Sequence, residues 1–345
     1  MQTRSRLSYT MQTPASDISD AISRHEVPPF ALISADLAKV ESLVAEQLTD
    51  GADTAGVAQL LAAFGSGRGK MLRPGLVLLA GGVCGRITEK HVRVGAIAEL
   101  IHSATLLHDD VIDEGEKRRG KPTVNSLWGN ESAVLLGDLL LSKALRMCAD
   151  IEPDVIRMLG ATAVRVCQGE LRQVFQRQNW QLSEFEYIET IREKSAALFS
   201  CCCRLGCLLA GGGEREGRRL ADFGLNFGIA FQITDDLLDI MGDEEKMGKT
   251  LGRDAYMNKP TLAVIHLLRE IGTQENTVTN GRSVSELTGR NELVEMLKAS
   301  GSLEYAQSRA SEFVAEAIAA LAELRESDAK KALIETAGFV GRRGR

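Results

Sequence analysis

An all-α fold is predicted for this 345-residue chain by three properties. Apolar residues recur every three or four positions through long Ala- and Leu-rich runs, prolines number only 7, and aromatic residues make up only 5%. No strand-like alternation of useful length interrupts these runs. With 44% hydrophobic residues, the chain has enough apolar material for a large packed core.

Residues 1–30 are polar and Ser/Thr-rich, end near Pro28 and Pro29, and predict a flexible tail. Residues 31–345 predict a single helical domain, because no Pro/Ser/Gly-rich linker divides them. Between Leu37 and Phe64 the helical period is broken only at Asp50–Thr54, which predicts two antiparallel helices. The stretch GSGRGKMLRP, Gly65–Pro74, is a basic Gly-rich turn entering a helix, with Pro74 in the first turn, where a missing N–H costs nothing. Further helices are expected over roughly 88–113, 131–150, 153–179, 183–211, 214–241, 259–270, 283–300 and 302–338. Pro153, Gly211–Gly213 and Gly242 punctuate them, and Gly272–Arg282 reads as a loop.

A formal charge of −6 and an isoelectric point near 5.6 exclude a global electrostatic pull toward nucleic acid or an acidic membrane. An anionic ligand must therefore be met by a local basic cluster. The sequence shows no charged-then-apolar leader and no uninterrupted apolar run of about 18 residues, so a cytoplasmic protein without a transmembrane segment is expected. The seven cysteines include Cys201, Cys202, Cys203 and Cys207. Adjacent helical residues point in different directions and cannot converge on one metal, so buried thiols acting as small hydrophobes in a reducing compartment are expected.

Chemistry concentrates in two acidic runs. In IHSATLLHDDVIDEGEKRRG, Asp109 and Asp113 lie four apart, which puts them on one helical face about 6 Å apart along the axis. Asp110 adds to their repulsion, and Arg118 and Arg119 follow as compensating cations. FQITDDLLDI repeats the pattern with Asp235, Asp236 and Asp239. One such run describes a solvated helix end. Two describe hard oxygen ligands for Mg²⁺, with coordination positions left for water and substrate phosphates. A diphosphate held between them needs direct donors, and candidates stand at helix ends or turns: Lys70 and Arg73, Arg118 and Arg119, Lys194 with Ser195, and Lys249 and Lys259. His102, two turns before Asp109 on the same face, is a further candidate.

At these residues the chain resembles the trans-isoprenyl diphosphate synthases, or polyprenyl synthetases. The matching segments are GKMLRP, IHSATLLHDDVIDEGEKRRGKPT, the GD at Gly137 and Asp138, the QGE at Gln168–Glu170, KSAALF at Lys194–Phe199, FQITDDLLDI, GKTLGRD and NKPTL, in family order across roughly residues 30–345. The resemblance implies an isoprenoid-synthase-type helical bundle around a deep central cavity, a homodimer, and a catalytic domain over residues 31–345. It implies Mg²⁺-dependent head-to-tail condensation of an allylic diphosphate (geranyl, farnesyl or geranylgeranyl) with isopentenyl diphosphate, using three Mg²⁺ per active site. Asp109, Asp113, Asp235 and Asp239 would then hold metal. Arg118, Lys194, Ser195, Gln232, Lys249 and Lys259 would bind the allylic diphosphate, and Lys70, Arg73, His102 and Arg119 the isopentenyl diphosphate. Asp109, Asp113, Asp235, Arg118, Lys194 and Lys249 would carry the catalytic step. The chain departs from the family pattern at Arg68 and Met71 in the opening motif, at Ser195 where Thr is common, and at Asn258 where Gly is frequent.

The growing chain would run down the helix from Asp109 toward its N-terminus. Thr105 and Ala104 sit about 6 and 7.5 Å deeper. In the resembling family, aromatics here mark short products and a small pair marks long ones, so a polyprenyl diphosphate of about seven to ten isoprene units is expected by analogy. So apolar a product implies transient membrane contact at release. A shorter-chain synthase, a terpene cyclase and a non-catalytic synthase subunit are the rival readings. The phosphate donors of GKMLRP and RRG argue against a cyclase, and the completeness of both acidic clusters argues against a subunit that has lost activity.

Overall fold

The computed structural model describes residues 29–50, 54–65, 69–118, 120–242, 257–273 and 290–343. After a 3-10 turn at Ala31–Ile33 come α1 (Ser34–Thr49), α2 (Ala55–Gly65), α3 (Leu72–Cys84) and α4 (Glu89–Ile112). A two-residue antiparallel hairpin, β1 (Lys117–Arg118) and β2 (Lys121–Pro122), leads to α5 (Val124–Cys148), α6 (Pro153–Phe175) and α7 (Glu184–Ile191). A π-helical turn, Arg192–Ala196, joins α7 to α8 (Ala197–Leu209). Then follow α9 (Glu214–Met241), α10 (Leu262–Thr273), α11 (Arg290–Ala299), α12 (Ser302–Ala320) and α13 (Asp328–Arg343). The expected all-α architecture is present. The predicted tail lies outside the described residues up to position 28, and Phe30, at the start of the fold, is buried.

Helices α3, α4, α8 and α9 make the centre, with α5 laid along α4, α12 and α13 covering α9, and α6 against α8. All-round burial of Leu76–Ala80 in α3 and Val94–Leu100 in α4 marks the deep interior, where hydrophobic burial drives assembly. Phe223, Phe227 and Phe231 descend α9 one turn apart, and Phe199 of α8 meets Phe227 edge-on, with centroids 5.3 Å apart. The cysteines behave as small hydrophobes: Cys201, Cys202 and Cys203 are buried, and burial pushes the Cys201 thiol up to about 11. Cys207 lies against Cys84 of α3, with the sulfurs 3.1 Å apart.

Several features differ from those read in the sequence. Helix α5 starts at Val124 instead of near 131, capped by the Thr123 hydroxyl; the non-helical Gly129 (φ 83°) kinks it and hides its first turn from a periodicity reading. The run expected over 183–211 is divided by the π turn. The run expected over 302–338 breaks between α12 and α13 without Gly or Pro, because the buried Lys330 ammonium donates to the Leu324 carbonyl at 2.9 Å and ties off the chain there. The hairpin was not expected; it turns at Gly120, whose φ is 76°.

His91 pins α4 to α8. Its Nδ1 accepts the Thr88 N–H at 3.1 Å, so the ring proton sits on Nε2 and is donated to the Gly206 carbonyl of α8 at 3.1 Å. Burial lowers its pKa from the ordinary 6.5, and its bond to Gly206 only partly offsets this. The folded state therefore prefers neutral imidazole and the unfolded chain takes the proton first. This contribution is full above about pH 6.5 and is lost as pH falls below it. Urea unfolding of the wild type is expected to show a stability decline between pH 7.5 and 5.5 that His91→Gln flattens, with that variant about 1–3 kcal/mol less stable at pH 7.5.

Candidate active site

Both acidic clusters stand at C-terminal helix ends, where the helix dipole disfavours negative charge. Asp109 and Asp110 close α4, and Asp113 is its C-cap, one residue past the helix instead of within it, with its N–H on the Asp109 carbonyl at 2.8 Å. Asp235, Asp236 and Asp239 lie in the last two turns of α9. Stability alone would not place six carboxylates there, so they need hydrogen-bond donors, cations or a ligand to balance them.

Arg118, presented by the hairpin, supplies one balance. Its Nε and Nη2 grip Asp110 at 2.8–3.1 Å. Burial opposes its charge, but Asp110, Asp109 and Asp235 outweigh that and hold its pKa above the ordinary value. Arg118 thus lies in the field of both clusters. Thr123 and Asn125 donate to the Gly115 carbonyl at 2.5 and 3.0 Å, which fixes the loop to the start of α5.

Lys194 supplies another balance, from the π turn. The extra residue of such a turn bulges the backbone outward, a device common at functional sites. Gly169 of α6 makes room for it: a Cβ there would lie 2.3 Å from the Lys194 nitrogen. Lys194 Nζ pairs with Glu170 Oε2 at 2.6 Å and donates to Gln173 Oε1 at 2.8 Å. Burial penalises the ammonium, yet Asp109 and Glu170 raise its pKa. Next to it, Ser195 donates to Gln232 Oε1 at 2.6 Å, Gln232 to Asp236 Oδ1 at 2.7 Å, and Tyr187 to Asp236 Oδ2 at 2.6 Å. This chain locks the middle residue of the second cluster as Arg118 locks that of the first.

Asp109 is treated differently. Among the described residues no hydrogen bond or ion pair reaches its carboxylate. Burial pushes its pKa up to about 6; the charges of Lys194 and Arg118 pull it down and those of Glu170 and Asp113 push it up. It is a crowded carboxylate short of positive charge, the condition a hard cation relieves. Among the described residues no three carboxylates, histidines or cysteines converge tightly enough to hold a metal by themselves. Carboxylates that cannot close a metal's shell by themselves suit an ion that keeps water and substrate phosphate in its shell.

Asp113 is held on both oxygens, by Arg177 Nη2 on Oδ1 at 2.9 Å and by Lys259 Nζ on Oδ2 at 2.6 Å. Lys259 therefore sits on the first cluster. Asp235 is half-buried and Asp239 is buried. The Arg73 guanidinium lies 4.3 Å over the Phe199 ring; burial lowers its pKa, and Glu99, Cys202 and Asp109 only partly offset this. His102 is half-buried on the Asp109 face of α4. Lys70 is exposed, with Nζ 5.3 Å from the Phe339 ring centroid of α13. Ala104 is buried and Thr105 half-buried, its hydroxyl donating to the His102 carbonyl at 2.8 Å. Arg119 and Lys249 lie outside the described residues.

Sequence reasoning gave no role to Glu170, although it stands in the matching QGE segment, and missed Gln173, Arg177 and Tyr187. Glu170 and Gln173 carried a signal, standing i,i+3 on one face beside a Gly. Gly137 of the GD pair also gains a reason: a Cβ there would lie 2.2 Å from His108 Nε2, so Gly lets α5 close on α4 with the His108 ring in its present place.

Compared with known proteins, residues 55–297 match the polyprenyl synthetase family model. The chain is similar to octaprenyl diphosphate synthase of Escherichia coli (strain K12), 36% identical over 318 residues, covering 91% of this chain and 98% of that protein. Its structure is similar to polyprenyl synthase of Caulobacter crescentus CB15, solved with calcium and isoprenyl diphosphate, with TM-score 0.80 and 31% identity over 94% of this chain and 97% of that one. It is also similar to a decaprenyl diphosphate synthase of Rhodobacter capsulatus, with TM-score 0.79 and 31% identity, covering 96% and 100%.

Proposed function

The chain belongs to the polyprenyl synthetase family, and on that premise we propose that it condenses isopentenyl diphosphate head-to-tail onto an allylic primer, making an all-trans product of about seven to ten isoprene units. It is a prenyltransferase of the long-chain type. The observation that carries the reading is the position of Arg118, clamped on Asp110 of one cluster and within the field of Asp235 of the other.

In this reading Asp109, Asp113, Asp235 and Asp239 hold Mg²⁺, three ions per site. Bound Mg²⁺ would neutralise the diphosphate as it leaves. Arg118, Lys194 and Lys259, with Ser195, Gln232 and Lys249, orient the allylic diphosphate and stabilise charge that grows as its C–O bond breaks. Arg73, Lys70, His102 and Arg119 hold isopentenyl diphosphate so that its double bond meets the allylic carbon without the full entropy of encounter. A C–C bond forms, a proton leaves the isopentenyl unit for the released diphosphate, and the apolar interior keeps water from the cationic carbon.

A homodimer is part of the proposal. It is supported by exposed apolar residues on α5 and α6: Leu127, Leu135, Val164, Leu171 and Phe175, the last 83% exposed. Among the described residues no helix is long and apolar enough to cross a membrane. A cytoplasmic setting with transient membrane contact at product release completes the reading. Chromatography of products from isopentenyl diphosphate with geranyl, farnesyl or geranylgeranyl diphosphate and Mg²⁺ tests it. Long polyprenyl diphosphates are expected. A cyclic hydrocarbon, or no product without a second protein, would refute it.

A further inference from the structure

Asp113 differs from Asp109 in one respect that the condensation does not require: its carboxylate already has a cation on each oxygen. The two cations come from distant segments. Arg177 follows α6 and also donates from Nη2 to the Ile112 carbonyl at 3.3 Å, which caps the negative end of α4. Lys259 precedes α10 and is buried. The segments are tied by the Gln178 N–H on the Asn258 carbonyl at 2.9 Å, and both residues hold left-handed backbone, φ 63° and 55°. Non-glycine residues keep such conformations only where surrounding contacts impose them. The Asn258 that departs from the family pattern is thus half of a tie that brings Lys259 to the cation already on Asp113.

A divalent ion approaching Asp113 meets one carboxylate and two resident positive charges, whereas at Asp109 it meets a carboxylate with no hydrogen bond or ion pair from the described residues. We infer that Arg177 is a positioning residue that occupies Asp113 in the substrate-free enzyme and makes metal uptake by the first acidic cluster wait for the diphosphate. The anion favours uptake twice: it attracts Lys259, and its own charge offsets Arg177. This rests on the metal role proposed above for the acidic clusters.

The test is a Mn²⁺ titration of substrate-free protein, free Mn²⁺ being counted by paramagnetic resonance, on wild type, Arg177→Gln, Arg177→Lys and Asp109→Asn. Arg177→Gln is expected to bind Mn²⁺ about fivefold more tightly than wild type, the scale of one partly screened charge pair. Arg177→Lys, which keeps the charge, is expected to restore wild-type affinity, an outcome that loss of packing alone would not give. Lys259→Gln strips the other cation and must also tighten binding; it serves if Arg177→Gln does not fold. Binding no tighter in the neutral variants than in wild type overturns the inference. If Asp109→Asn weakens binding in that case, the metal role survives and only the part of Arg177 falls; if Asp109→Asn binds as wild type does, the metal role falls as well.

Discussion

Replacement of Asp109 by Asn is expected to lower Mg²⁺-dependent turnover by about a thousandfold or more, the loss of several kcal/mol of charge stabilisation in the transition state. The fold should not suffer. The Asp109 pKa is pushed up to about 6, from 3.8, chiefly by burial. Between those values the folded protein binds the proton that the unfolded chain has released, so stability falls as pH rises through that window and then levels. Above pH 6 the ionised carboxylate is a standing cost, and Asn removes it. In chelator at pH 7.5 the variant is expected to unfold with a gain on the order of 1–2 kcal/mol over wild type, a difference that closes toward pH 4. Scanning calorimetry at the two pH values, beside the turnover assay, reads both effects. A folded variant with near-wild-type turnover removes Asp109 from the chemistry. A variant that loses turnover and unfolds more easily makes it a structural residue instead.

The acidic clusters were legible because their message is local. A spacing of four on an apolar helix fixes a shared face, and a repeat of the pattern elsewhere makes a solvated surface a poor account of both. Arg118 was legible for the same reason, since crowded carboxylates need a cation and one follows a few residues on. What the sequence withheld was the pairing. Arg118 chooses Asp110, the middle carboxylate, so the outer Asp109 is left for a ligand. Lys194 was named as a phosphate donor, but its present partners, Glu170 and Gln173, come from another helix, and the π turn that aims it has no local signature. Lys259 was assigned to substrate and is found on Asp113, joined by an Arg177 that no motif marked. The fold shows the same division. Helix faces with a steady period were read correctly, whereas the break after Ala320, made by the reach of Lys330 and not by Gly or Pro, could be known only from packing.

Changing Ala104 to Phe is expected to shorten the product while leaving the first condensation within a few-fold of wild type. On α4, Val94–Leu100 have no open side, and partial exposure begins at Ile101 and runs to Asp109 apart from Ala104 and Leu107. From Asp109 to Ile101 that run spans about 12 Å at the rise of a helix, less than a long isoprenoid needs, so on the proposed path the product passes Thr105 and Ala104 and leaves α4 for a neighbouring element near Ile101. A phenyl ring at position 104 would stand in that path. Ala104 itself has no exposed surface, so the ring must displace packed neighbours at about 1–3 kcal/mol, and the melting temperature will fall accordingly. Thr105→Phe is the companion variant, since Thr105 is half-buried and a ring there displaces fewer packed neighbours. If radiolabelled products resolved by reversed-phase chromatography end at fifteen or twenty carbons in either folded variant, the small pair sets length. If both fold and both keep the wild-type distribution, the chain turns away from α4 above this level, and its gate lies on another helix.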